Sequence, residues 1–393
     1  MSPNQRQSVL AHVIATSRIL IVDDSEMSRL VLRKICQQAG FKHIEECNHG
    51  QEALEHIHYH CPDLMFLDIE MPVMDGFALC DILRNERLLD SMVVIMQTAT
   101  EKPEVKARAF EMGVTDLLTK PVHPRETIAR ALAHLERAYL RREGEERHRR
   151  IQEELEEAVI LQNILLPREE VIDAIQQQMQ VDIAHYYHPA SELAGDYISI
   201  RRLTEDRFAI VSIDISGHGL TAALYAFSVH TLIEDAVLTT QTPAHVLTIL
   251  NERLHDFMSA GKFATAFIAV IDTRHHYIDY AAAAAPPPIL IGSEKPMLLD
   301  TRGHLLGVDN HARYQNHRLP YQVGDRLFIY SDALIESPNA QGVSMSTEEV
   351  VSHLCATERN AASATYLKNM MDALYGRYTP KPADDLSMII CRL

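Results

Sequence analysis

Residues 18–24 read RILIVDD, a short apolar run closed by two adjacent aspartates. A run this short, apolar at every position, predicts a strand buried on both faces rather than an amphipathic helix. The pattern returns at 64–68 (LMFLD), 93–99 (VVIMQTA) and 116–121 (DLLTKP), with amphipathic stretches between the runs. Short strands alternating with helices predict a parallel, doubly wound α/β sheet. Such sheets gather their chemistry at the carboxyl ends of the strands. Asp23, Asp24, Asp68, Thr98 and Lys120 all fall at those ends. Singly, each would be an ordinary solvated loop residue. Five at matching ends of successive strands point to one site, and carboxylates from separate strand ends suit a hard cation.

A second set of aspartates lies in a different context. After Pro167 the pattern turns to strands, among them RFAIVSIDIS, TAFIAVID, RLFIYSD and LSMIICRL. Helical stretches at 221–238, 244–259, 347–354 and 362–375 accompany them. Strands in runs with clustered helices predict an α+β layered fold. Asp214 ends a buried strand and enters the turn SGHG, and Asp332 ends RLFIYS in the same way. Asp385 opens the final strand, and Asp196 follows Gly195 at a strand start. Isolated buried charge is costly, so a shared cation is the economical explanation for this set too. Two such sites in one chain suggest a sensor joined to an output enzyme.

Residues 125–166 carry a proline-free helical pattern. Ile128, Leu132, Leu135 and Tyr139 form one apolar seam, and Ile151, Leu155, Ala158 and Leu165 form another. Spacings of four and three predict a coiled coil, hence a homodimer through this linker. RREGEERHRR separates the seams without one apolar residue, and Gly144 within it is a candidate hinge. The expected division is a loose leader at 1–17, an α/β domain at 18–124, the helical linker at 125–166 and the layered domain at 167–393.

Composition narrows the class. The 393 residues carry a net charge of −17, which argues against nucleic acid as the main partner. Six cysteines without a C-x-x-C pair speak against zinc or redox use and for free thiols in a reducing cytoplasm. No apolar run reaches the roughly 18 residues of a membrane span.

IVDDS, LMFLDIEMPVMDG, Thr98-Ala99 and Lys120-Pro121 together resemble the response-regulator receiver family over residues 18–135. The resemblance implies that Asp68 accepts a phosphoryl group and that Asp23, Asp24, Asp68 and the Glu70 carbonyl hold Mg²⁺. It implies that Thr98 and Lys120 contact the phosphoryl oxygens, and that Lys120-Pro121 is a candidate cis bond. Gly76 would permit a tight loop beside the site. The position three before Lys120 is usually aromatic in the family and is Leu117 here.

LQNILLP, SELAGDY, IDISGHGLTAAL, FIYSDALIE and DDLSMII resemble the PPM (PP2C-like) metal-dependent serine phosphatases, in their bacterial stress-regulator branch. That resemblance implies two Mg²⁺ or Mn²⁺ ions, bridged by Asp214, with the Ile215 carbonyl on one and Asp332 and Asp385 on the other. Asp196 would act through water. His218 is a candidate acid for the leaving serine oxygen, although a place in the turn suits its spacing better. Two positions depart from the family pattern. Ala333 replaces a usual glycine, and Ala283-Ala284-Ala285 replaces an Ala-Gly-His tripeptide. The domain order resembles regulators of the general stress response. It implies an upstream histidine kinase or phosphotransfer protein, and a phosphorylated anti-sigma-factor antagonist as substrate. The alternative is an adaptor that binds the stationary-phase sigma factor for delivery to a AAA+ protease.

Overall fold

Alternate residues along the first set of strands face two different cores, and this decides the architecture of the N-terminal part. The computed structural model describes residues 3–100, 102–217, 219–235, 242–259, 261–292, 295–337, 343–375 and 384–393. It divides into two units, Met1–Ile151 and Gln152–Leu393.

In the first unit the helices are α1 (Pro3–Thr16), α2 (Glu26–Gln38), α3 (Gly50–Tyr59), α4 (Gly76–Asn85), α5 (Pro103–Glu111) and the start of α6 (Pro124–Asn163). The strands are β1 (Arg18–Val22), β2 (His43–Cys47), β3 (Leu64–Asp68), β4 (Val93–Thr98) and β5 (Asp116–Thr119). They form one sheet of order β2-β1-β3-β4-β5, and every pairing is parallel. Leu20, Val22, Met65, Leu67, Val94 and Met96 pack with residues of α3, α4 and α5. Ile19, Ile21, Leu64, Phe66, Val93 and Ile95 pack with residues of α1, α2 and α6. Both faces are covered, as a parallel sheet requires.

Two expectations are corrected here. The leader forms helix α1, whose Val13 is buried and whose Val9 and Ile14 pack beside it. Arg6 adds a two-pronged hydrogen-bonded pair to Glu136 of α6, at 2.9 and 3.0 Å. The first apolar seam is also occupied: Leu135 is buried in the core of the first unit, with Ile128, Leu132 and Tyr139 packed against it. That seam is not free for a coiled coil.

Helix α6 runs through Gly144 without a break. Three exposed i,i+4 pairs brace the polar stretch: Arg141–Glu145, Glu143–Arg147 and Glu146–Arg150, at 3.7–3.8 Å. Each is worth only about 0.3–0.5 kcal/mol, together comparable to the ~1 kcal/mol that a helical glycine costs.

The second unit adds α7 (Glu169–Met179), then β6 (Asp182–His188), β7 (Tyr197–Arg202) and β8 (Arg207–Ile215). Helices α8 (Leu220–Asp235) and α9 (Pro243–Phe257) precede β9 (Ala264–Asp272), β10 (Tyr277–Ala283), β11 (Ile289–Ile291) and β12 (Met297–Leu298). Then come β13 (His317–Pro320), β14 (Arg326–Tyr330), α10 (Ala333–Glu336), α11 (Thr347–Ala356), α12 (Ser363–Tyr375) and β15 (Leu386–Arg392). Two five-stranded sheets result, of order β13-β10-β9-β8-β7 and β12-β11-β14-β15-β6, with antiparallel pairing throughout. A shared core joins their inner faces, where Ile210, Phe267 and Ile278 meet Ile183, Leu327 and Ile389. Helices α8 and α9 cover the outer face of one sheet, and α10 to α12 cover the other. The layered domain is thus a four-layer sandwich. Leu165, expected on the linker seam, is buried in its core beside Tyr197 and Ile215. Among the described residues, no helix is long and apolar enough to cross a membrane.

Candidate functional site

In the first unit the strand-end residues come together as expected. Asp23, Asp24 and Asp68 each place a carboxylate oxygen within 4.8 Å of the other two. Lys120 Nζ lies 2.8 Å from both Asp23 Oδ2 and Asp68 Oδ2. The other Asp23 oxygen accepts from Ser25 N at 2.9 Å, and Asp68 Oδ1 accepts from Ile69 N at 3.0 Å. Burial pushes the Asp68 carboxyl up, and the Lys120 ammonium opposes this without reversing it. Three carboxylates against one ammonium leave excess negative charge, and their all-oxygen donor set suits a hard divalent cation. Thr98 is buried at the end of β4, its hydroxyl engaged with the Thr100 backbone N–H at 3.1 Å. Glu70 lies exposed two residues past Asp68. Lys120-Pro121 is cis. Gly76 is required, because a Cβ there would stand 2.4 Å from the Asp68 carbonyl oxygen. Leu117 packs against the core beneath α3, α4 and α5.

In the second unit the aspartates do not converge as closely as Asp23, Asp24 and Asp68 but still feel one another. Asp196 is buried, and its carboxylate oxygens make no close hydrogen bond among the described residues, with the Ser387 hydroxyl near enough to favour its charged form. Burial, then the charge of Asp214, raises its pKa well above the usual carboxylate range. Asp214 is pushed up to about 7 by burial and by Asp332, Asp384 and Asp385. Asp332 is pushed up to about 6 by burial, Glu336 and Asp384. Carboxyl groups near enough to raise one another's pKa, with Asp196 in the interior, form an all-oxygen donor set that suits divalent cations.

The final pair of carboxylates divides its labour differently from expectation. Asp385, placed among the cation ligands by the sequence, has both oxygens taken by backbone donors: Ala190 N at 2.8 Å and Gly195 N at 2.6 Å. It fastens the loop that carries Asp196. Asp384, which the sequence reading passed over, is exposed and its charge is felt at both Asp214 and Asp332. Ser331 holds these elements in register, its hydroxyl donating to Asp385 O at 3.0 Å and accepting from Ser387 N at 2.9 Å. Lys262 Nζ donates to the Ser216 carbonyl at 3.1 Å, just beyond Ile215. His218 lies outside the described residues.

Of the two family departures, Ala333 opens α10 without positive φ, so its methyl brings no such strain. Ala284 has φ of +54°, a conformation that favours glycine and costs an alanine about 1–2 kcal/mol.

Comparison with known proteins follows these two halves. Residues 19–132 match the model of the response regulator receiver domain. Residues 204–393 match that of Stage II sporulation protein E (SpoIIE). Chemotaxis protein CheY of Bacillus subtilis (strain 168) is 34% identical over 105 residues, which are 26% of this chain and 85% of CheY. Phosphoserine phosphatase RsbP of the same organism is 29% identical over 163 residues, 40% of each chain. The SiaA-PP2C domain of Pseudomonas aeruginosa superposes with a TM-score of 0.56 at 18% identity, covering 63% of this chain and 98% of that one. The chain spans about half or less of the length of the first curated relatives it matches. Through residues 19–132 the chain belongs to the response regulator receiver family, and to that receiver it joins a C-terminal domain of the PP2C fold that the SpoIIE model matches.

Proposed function

We propose that the C-terminal domain is a metal-dependent protein phosphoserine phosphatase, governed by phosphorylation of Asp68. The observation that carries this reading is the carboxylate constellation around Asp214, with the buried Asp196 at its back. Two Mg²⁺ or Mn²⁺ ions would supply there a water activated for in-line attack on a phosphate ester. Asp214, the Ile215 carbonyl, Asp332 and Asp384 would hold them, with Asp196 behind. Asp385 keeps the Asp196 loop in place by gripping Ala190 and Gly195. In the receiver, Asp68 attacks the phosphoryl group of an upstream kinase or phosphotransfer protein, and Lys120 offsets the charge that develops. Asp23, Asp24 and the Glu70 carbonyl would hold Mg²⁺ beside it. The likeness to a phosphoserine phosphatase, RsbP, favours a phosphoserine substrate, and the protein we propose to carry it is a phosphorylated anti-sigma-factor antagonist.

With Mn²⁺, the purified protein should hydrolyse a phosphoserine protein, and EDTA should stop it. Hydrolysis that persists in EDTA, or none with Asp68 either free or phosphorylated, sinks this reading. The second outcome leaves the sigma-factor adaptor.

Self-association belongs to the same proposal, moved to the later part of α6. Ile151, Ile160 and Leu161 are exposed there, as is Ile164 just past its end, at 49–66%. Ile160→Glu with Ile164→Glu should turn a dimer into a monomer in sedimentation while the fold survives. An unchanged sedimentation coefficient would place the contact elsewhere.

A further inference from the structure

The last turn of α6 touches the candidate phosphatase site through one side chain. Gln162 is 5% exposed, and its amide makes two hydrogen bonds to a single residue. Its Nε2 donates to the Ala194 carbonyl at 2.7 Å, and its Oε1 accepts from Ala194 N at 3.1 Å. Both backbone groups of Ala194 are therefore satisfied by the helix, in a place that water does not reach. The next residue, Gly195, donates to Asp385, and the one after is Asp196. Three residues beyond Gln162, Leu165 is buried against Tyr197, Ile215 and Ala222. A polar clamp and an apolar anchor thus bind one end of the helix to the residues that flank Asp196 and Asp214.

We propose that Gln162 is the positioning residue through which α6 sets the Asp196 loop, and so controls cation binding and turnover. This rests on the phosphatase reading and names its regulation. The chemistry suits a two-state device. A primary amide satisfies a peptide's donor and acceptor only in one register, so turning or withdrawing the helix breaks both bonds at once. The Ala194 groups are then left unpaired in the interior and the loop must move to find partners. Asp196 moves with it. Gly195 lets the loop pack close, since a Cβ there would meet the Ile215 carbonyl oxygen at 2.8 Å. A change in the helix consequently reaches both Asp196 and Ile215, without any contact between Gln162 and a cation.

Gln162→Met keeps the size of the side chain and removes both hydrogen bonds, whereas Gln162→Glu keeps the acceptor and loses the donor. In full-length protein, Gln162→Met should speed amide hydrogen exchange at Ala194–Asp196. It should weaken Mn²⁺ binding in calorimetry by about tenfold, as loss of a residue supporting metal ligands does. It should also lower kcat more than KM, and abolish the response of the rate to beryllofluoride at Asp68. Gln162→Glu should show the same changes in smaller measure and serves if the methionine variant does not fold. A folded variant with wild-type Mn²⁺ affinity and wild-type exchange at 194–196 overturns the proposal. If the wild type binds Mn²⁺ but hydrolyses nothing, the phosphatase reading fails, while exchange and calorimetry still decide the clamp.

Discussion

Asp214→Asn and Asp384→Asn should each remove phosphoserine hydrolysis, by about 10³-fold or more, because each takes a charged oxygen from the site that activates water. Asp385→Asn should behave differently. Its two oxygens serve Ala190 N and Gly195 N, and an amide offers only one acceptor. The second donor is left unpaired in the interior at a cost of about 1–3 kcal/mol. The loss should appear as a lower Tm, about 2–4 °C per kcal/mol for a domain of this size. Kinetics and melting of the three variants check this division. Equal loss of activity with unchanged melting in all three would mean that Asp385 is a ligand like the others.

The charge state of Asp214 adds a pH signature. Its folded pKa is raised to about 7, whereas an unfolded aspartate titrates near 3.9. Between those values the folded state binds more protons than the unfolded one, so stability falls as pH rises. Metal-free protein should accordingly be more stable near pH 4.5 than near pH 7.5, so far as this group decides. Asp214→Asn cannot ionise, and in EDTA it should melt higher than wild type at pH 7.5. The gap should close toward pH 4. A variant melting lower than wild type at pH 7.5 without metal would show that Asp214 is not strained by its neighbours.

Asp68→Asn should lose all labelling by a small phosphodonor in Mg²⁺. The amide retains an oxygen for Ile69 N but has no carboxylate to attack phosphorus. Lys120 keeps Asp23 as a partner at 2.8 Å, so the strand ends should stay assembled. Beryllofluoride should change the phosphatase rate of wild type and leave this variant untouched. Undiminished label on Asp68→Asn would move the phosphoacceptor to another residue.

The receiver was the most legible part of the sequence. Strands β1, β3 and β4 are apolar at most positions, and the reactive residues stop at strand ends, which the geometry of a doubly wound sheet brings together; β2, HIEEC, has no such run and gave no strand signal. Periodicity served less well where it named a face but not a partner. Ile128, Leu132 and Leu135 have coiled-coil spacing, yet a helix lying on its own sheet needs the same stripe, and that is where they pack. Helix α1 needed only Val9, Val13 and Ile14 to dock, too few to stand out in the leader. Asp384 and Asp385 were inseparable for a different reason. All but the last residue of β15 are buried, so no alternation of polar and apolar residues reveals which neighbour faces the cluster. Gln162 carried no signal at all beyond its place in LQNILLP, since a polar residue near a helix end is usually solvated.

The order in which the second unit is built has a consequence for synthesis. Strand β15 lies inside its sheet, between β14 and β6, with its Leu386–Arg392 antiparallel to His188–Asp182 of β6. It is made after the other strands of these two sheets, and until it arrives β6 has no strand to pair with and the Asp196 loop lacks its Asp385 anchor. A chain stopped before this strand can thus display a finished first unit while the sheet beside the Asp196 loop stays open. On the proposed function, ribosome-bound chains ending before Leu386 should take up phosphoryl groups without releasing phosphate from a protein.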